Sequence, residues 1–128
     1  MPLTAGQRLS RDEFLRRWEA MPDFKFAELI GGIVYLPSPV GLPHSRLTTK
    51  TATLLSCYAA ATKGCDAACD ATWYLLDDAP QPDVALFVLP EYGGRCHYVD
   101  NYIGGPPELV VEVSASTKAV DFGPKLRL

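Results

Sequence analysis

The 128-residue chain has no long apolar run, no excess of basic charge and no internal repeat, and each absence removes a class of function. No apolar stretch approaches the ~20 residues of a membrane-spanning helix, because Gly, Pro or charge interrupts every candidate. The first residues carry no continuous apolar segment with a processing site, so a cytoplasmic location is expected. With 15 acidic and 12 basic residues the net charge is −3, and no basic tail is present. That balance argues against tight non-specific binding of nucleic acid, although a local basic patch could survive it. What remains is an ordinary globular composition, 48% hydrophobic and 21% charged, long enough for one domain with a real core but not for two.

The four cysteines, Cys57, Cys65, Cys69 and Cys96, are expected to be reduced and mostly buried. A zinc site would require Cys65, Cys69 and Cys96 to converge in space.

Two acidic motifs stand out, Pro82-Asp83-Val84 and Glu108-Leu109-Val110-Val111-Glu112-Val113-Ser114. Each sets a carboxylate in or beside an apolar, strand-like run. Desolvating a carboxylate costs several kcal/mol unless it is paired or bound to a metal. Two carboxylates brought together by neighbouring strands repel, and a divalent cation relieves that repulsion. Taken alone, the pattern also fits an Asp83 that caps a turn and a Glu112 that points out of a one-sided sheet.

Local signals give the order of elements. Ser10-Arg11-Asp12-Glu13 is a capping box, and Phe14, Leu15 and Trp18 place one apolar face on a helix over 11–20. Gly31-Gly32 between Leu29-Ile30 and Ile33-Val34-Tyr35-Leu36 predicts a hairpin, and Pro37, Pro39 and Pro43 predict an irregular loop. Leu47, Thr51, Leu54, Leu55 and Tyr58 form a stripe on a second helix from about Ser45 to Gly64. Strands are expected over 67–76, 84–89 and 109–114, with a short one at 96–99, which puts Glu112 in mid-strand. The order describes an α+β or α/β-like domain with a mixed central sheet flanked by helices. The sequence after Thr117 looks like the entry to a further helix. One domain over 1–128 is expected, cut short at its C-terminal end.

Phe26-Ala27-Glu28-Leu29-Ile30-Gly31-Gly32, His44 after the proline loop, Pro82-Asp83-Val84, and Gly105-Pro106-Pro107-Glu108 through Ser114 follow one another at a characteristic spacing. Together, in that order, they resemble the Uma-two family of putative restriction endonucleases. Ser116-Thr117, Asp121 and Lys125 follow the family's ending, so the likeness runs from about Ser10 to Lys125. The family is placed in the PD-(D/E)xK nuclease superfamily, whose sheet presents Asp, Glu and Lys to a divalent metal.

By that resemblance Asp83, Glu112 and the backbone carbonyl of Val113 would bind Mg²⁺ or Mn²⁺. Glu28 would be a further acidic member, and His44 an accessory position. The lysine expected two residues after Glu112 is Ser114 here, so Lys125 becomes its substitute. The implied activity is hydrolysis of DNA. The superfamily fold would continue past Lys125 with a C-terminal helix and strand that this chain is expected to lack. The sheet edge left exposed predicts a homodimer and low or no activity for this chain. A catalytically inactive scaffold that keeps the nuclease fold is the second reading. Lys50 and Lys63 could touch a phosphate backbone, but solvated lysines on a helix's polar side are the simpler account. His97 reads as a surface residue.

Overall fold

A computed structural model of the chain describes residues 1–37 and 39–114. Helix α1 spans Arg11–Glu19, and the Ser10 hydroxyl accepts the Glu13 amide at 3.2 Å as the capping box requires. Phe14 and Leu15 are its buried residues. On its outer side Glu13 accepts hydrogen bonds from Arg16 and Arg17, which hold its carboxyl down to about 2. Because the folded value lies below the ordinary 4.5, any stabilisation is complete above that pH and is lost as pH falls towards 2.

Strands β1 (Glu28–Ile30) and β2 (Ile33–Tyr35) form the expected hairpin, with Ile30 opposite Ile33. Gly31 and Gly32 have φ of 62° and 76°, the left-handed pair that a two-residue type I′ turn demands. Asp78 reaches this turn from a distant part of the chain. Its two carboxylate oxygens accept the amides of Gly31 at 2.7 Å and Gly32 at 3.0 Å.

Helix α2 spans Leu42–Ala61, starting earlier than the sequence pattern implied. Pro43 belongs to its first turn, where the missing N–H breaks no helical hydrogen bond. His44 therefore lies inside the helix rather than ahead of it. The inward face also differs from expectation. Ala59 is buried and Thr51 and Leu55 are partly covered, whereas Leu47, Leu54 and Tyr58 are 53%, 69% and 54% exposed. The polar residues His44 and Thr48 take covered positions near the start of the helix, which turns the apolar stripe onto its flank.

The single strand expected over 67–76 is two strands in different sheets. Strand β3 covers Cys65–Cys69 and β4 covers Trp73–Tyr74. Asp70, at φ 55°, redirects the chain between them, a conformation that Asp tolerates better than most residues. The remaining strands are β5 (Val84–Val88), β6 (His97–Val99), β7 (Tyr102–Gly104) and β8 (Leu109–Val111). The sequence signals did not mark β7.

Besides the hairpin, the strands make an antiparallel sheet in the order β3-β5-β8 and a second one in the order β4-β7-β6. Parallel pairing of β4 with β7 makes this last sheet mixed. Helix α2 packs on β3 and β5. The class is thus mixed helix and sheet.

Two apolar clusters hold these parts together. Phe14, Leu15, Ala27, Leu29, Val34 and Ala79 join α1 to the hairpin. Trp73, Ala85, Phe87, Cys96 and Ile103 join the two larger sheets. Trp73 meets Phe87 edge-on at 5.4 Å and donates its indole N–H to the Gly105 carbonyl at 2.5 Å.

Candidate active site

The antiparallel register of β5 and β8 sets Val84 opposite Val111. One step further along both chains sets Asp83 opposite Glu112, and directly opposed residues share a face of the sheet. Glu112 is therefore one residue beyond the end of β8, not in mid-strand, and is only partly buried. Asp83 accepts the Val113 amide on Oδ2 at 2.7 Å. This charge-assisted bond pins the chain where it leaves β8 and fixes the carboxylate's orientation.

Glu28 arrives from the hairpin. Its Oε1 accepts the backbone N–H of Gln81 at 2.8 Å, which ties it two residues ahead of Asp83. Gln81 is itself buried and donates its side-chain amide to the Thr72 hydroxyl at 3.2 Å. His44 completes the surroundings, with Nε2 3.7 Å from Asp83 Oδ2. Thr48 donates its hydroxyl to the His44 carbonyl at 2.9 Å and lies 3.5 Å from His44 Nδ1.

The structure thus brings Glu28, His44, Asp83 and Glu112 to one region, with Val113 between the two strand ends. Lys125 lies outside the described residues, as do Ser116, Thr117 and Asp121. Sequence reasoning missed Gln81, Thr72 and Asp70. The Asp70 amide donates to the Pro82 carbonyl at 3.1 Å, and the β3–β5 register brings Asp70 beside Asp83 as well. Burial, then the charges of Asp70 and Asp83, pushes the Cys69 thiol above its ordinary value. Only their long-range pairing exposes these roles; no local motif carries them.

Among the described residues, no group of three or more His, Cys, Asp or Glu side chains gathers to hold an ion. The donors at the strand ends are the Asp83 and Glu112 carboxylates and the Val113 carbonyl. An all-oxygen set with one or two carboxylates fits Mg²⁺ or Mn²⁺, which keep several waters and take further ligands from a phosphate substrate. The Ser114 hydroxyl, beside these donors, is buried without a hydrogen-bond partner among the described residues. A cleft of about 620 Å³ lies elsewhere, between Ser10, Gly31-Gly32 and Asp78, and includes none of the candidate carboxylates.

The thiols are free, yet only Cys96 is buried. Cys57 and Cys69 are exposed and Cys65 is intermediate, which corrects the expectation of mostly buried cysteines. Their small side chains fit surface positions on α2 and β3 that no core residue covers. Cys96 is raised by burial and then by the charge of Glu108. Timed alkylation read by mass spectrometry is expected to label Cys57 first, Cys69 more slowly and Cys96 last. Equal rates at all three would contradict these environments.

The model of the Uma2 family, described as putative restriction endonucleases, matches residues 11–128. The chain belongs to that family. A crystal structure of a putative nuclease of the DUF820 group from Anabaena variabilis shares the fold, with a TM-score of 0.64 and 21% identity. The match covers 88% of this chain and 63% of that one, so the chain spans less than two thirds of its structural relative. No curated protein matches the sequence.

Proposed function

We propose that this chain is a metal-dependent endonuclease that hydrolyses phosphodiester bonds in DNA. The observation that carries the reading is the opposition of Asp83 and Glu112 at the paired ends of β5 and β8. Glu28, bonded to the Gln81 backbone, adds a third carboxylate nearby. In this reading Asp83, Glu112 and the Val113 carbonyl would hold Mg²⁺ or Mn²⁺, which would supply Lewis acidity and neutralise charge on the phosphate.

The chain's own groups do the positioning. The Val113 amide fixes Asp83, and the Gln81 amide fixes Glu28 as an acceptor for a proton from the attacking water. Lys125 is assigned to steady the developing phosphate charge. A homodimer through the flank of β8 is part of the proposal, because among the described residues β8 pairs with β5 on one side only and exposes Leu109 and Val110.

One observation favours a second reading, an inactive scaffold that retains the nuclease fold. Asp83 Oδ2 already serves the Val113 amide, so the carboxylate has a purely structural use. Calorimetric titration of Mn²⁺ into wild type and an Asp83→Ala, Glu112→Ala double variant separates the two. Binding heat in wild type alone, with metal-dependent nicking of supercoiled DNA lost in the variant, supports the nuclease. Equal heats and no nicking by either protein would leave the scaffold.

A further inference from the structure

We propose that Arg46 and Lys50, on the outer side of helix α2, bind the DNA backbone at phosphates that flank the scissile one. The inference rests on the nuclease reading above and adds to it the surface that meets the substrate. Its starting point is how the chain distributes charge. An acidic chain with carboxylates at its reacting centre repels a polyanion, so approach requires a cationic surface close by.

Most other arginines of the described residues are engaged. Arg16 and Arg17 bind Glu13, and Arg95 binds Glu108. Arg8 donates to the Gly31 carbonyl, while Arg11 donates to the Leu76 carbonyl and covers the Tyr74 ring at 4.3 Å. Arg46 and Lys50 differ. Both are exposed, and neither has a salt bridge or side-chain hydrogen bond among the described residues.

Their helix also differs from α1. Across its 20 residues α2 contains no Asp or Glu, whereas α1 mixes both signs within 9 residues. Residues four apart share a helix face, so Arg46 and Lys50 present two adjacent positive charges with no acid between them. The first turn of α2 carries His44, whose ring lies 3.7 Å from Asp83, so the helix starts beside the candidate site and carries Arg46 and Lys50 away from it on its solvent side. At 100° per residue, Arg46 falls on nearly the opposite side of the helix from His44. A phosphate held there is separated from Asp83 by more than a helix diameter, that is by more than ~10 Å. At 3.4 Å of rise per base step that is more than about three steps along a strand. The contact is thus with flanking phosphates rather than with the scissile one, and it holds the duplex without reading its sequence.

The test is fluorescence anisotropy of a short labelled DNA duplex with the full chain, in Ca²⁺, over a series of salt concentrations. The variant is Arg46→Gln with Lys50→Gln, which keeps helix-favouring side chains at exposed positions. Lys25→Gln serves as a control for net charge. Thermal melting verifies that all proteins are equally folded. The double variant is expected to lose about two units from the slope of log affinity against log salt, and about tenfold or more in affinity at low salt. Lys25→Gln is expected to bind as wild type does. Wild-type binding with unchanged slope and affinity in the double variant overturns the inference and leaves the nuclease reading standing. Absence of duplex binding by wild type at low salt overturns both.

Discussion

Replacing Asp83 with asparagine is expected to cut metal-dependent nicking of DNA by at least about a hundredfold while the fold persists. The loss is of the size seen when one electrostatic stabiliser of a transition state is removed. Asparagine retains a carbonyl oxygen where Asp83 Oδ2 accepts the Val113 amide, so the exit of β8 stays tied to β5. It loses the negative charge on which a hard cation depends. Trading a charged acceptor for a neutral one costs about 1 kcal/mol of stability, a small shift in melting temperature. Initial nicking rates at saturating Mn²⁺, set beside thermal melts, separate the two effects. Nicking at the wild-type rate would remove Asp83 from the catalytic machinery and leave it a structural clasp.

The largest stability effect is expected at Asp78. This buried carboxylate accepts two backbone amides from a turn more than 40 residues away in sequence, at Gly31 and Gly32. Truncation to alanine removes both charge-assisted bonds and leaves the turn to water, at a cost of about 3 kcal/mol. For a domain of this size the melting temperature is expected to fall by roughly 10 °C. An asparagine side chain offers one acceptor oxygen in place of two, so Asp78→Asn is expected to fall between alanine and wild type. A melt of Asp78→Ala that superimposes on wild type would show that the turn forms without its clamp. Since β1 carries Glu28, the same substitution is expected to slow nicking even at temperatures where the protein remains folded.

The hairpin could be read from sequence because Gly31-Gly32 is a local device whose two left-handed residues determine both the turn and the register. The opposition of Asp83 and Glu112 could be foreseen because each lies against a run of Val and Leu that favours a strand. The break at Asp70 was hidden, since Trp73 and Tyr74 favour strand whichever sheet they join. The face of α2 was misread for a different reason. Leu47, Leu54 and Tyr58 make a convincing apolar stripe, but the N-terminal part of the helix turns His44 towards Asp83, with Thr48 bonded to the His44 carbonyl, and the rest follows in phase. The tie between Glu28 and Gln81 spans 53 residues and uses a backbone donor, which leaves no trace in composition or periodicity.

The two apolar clusters bear on the site in a way that concerns fluctuation more than architecture. Glu28 rides on the hairpin, which the α1 cluster anchors, whereas Asp83 directly precedes a strand anchored by the Trp73 cluster. Local openings follow such units, and each has its own free energy. A transient release of the hairpin would carry Glu28 away while Asp83 and Glu112 stayed opposed. Amide exchange at Leu29 and Val34 would then report the fraction of time the third carboxylate is on station, and exchange at Ala85 and Leu86 the persistence of the other two.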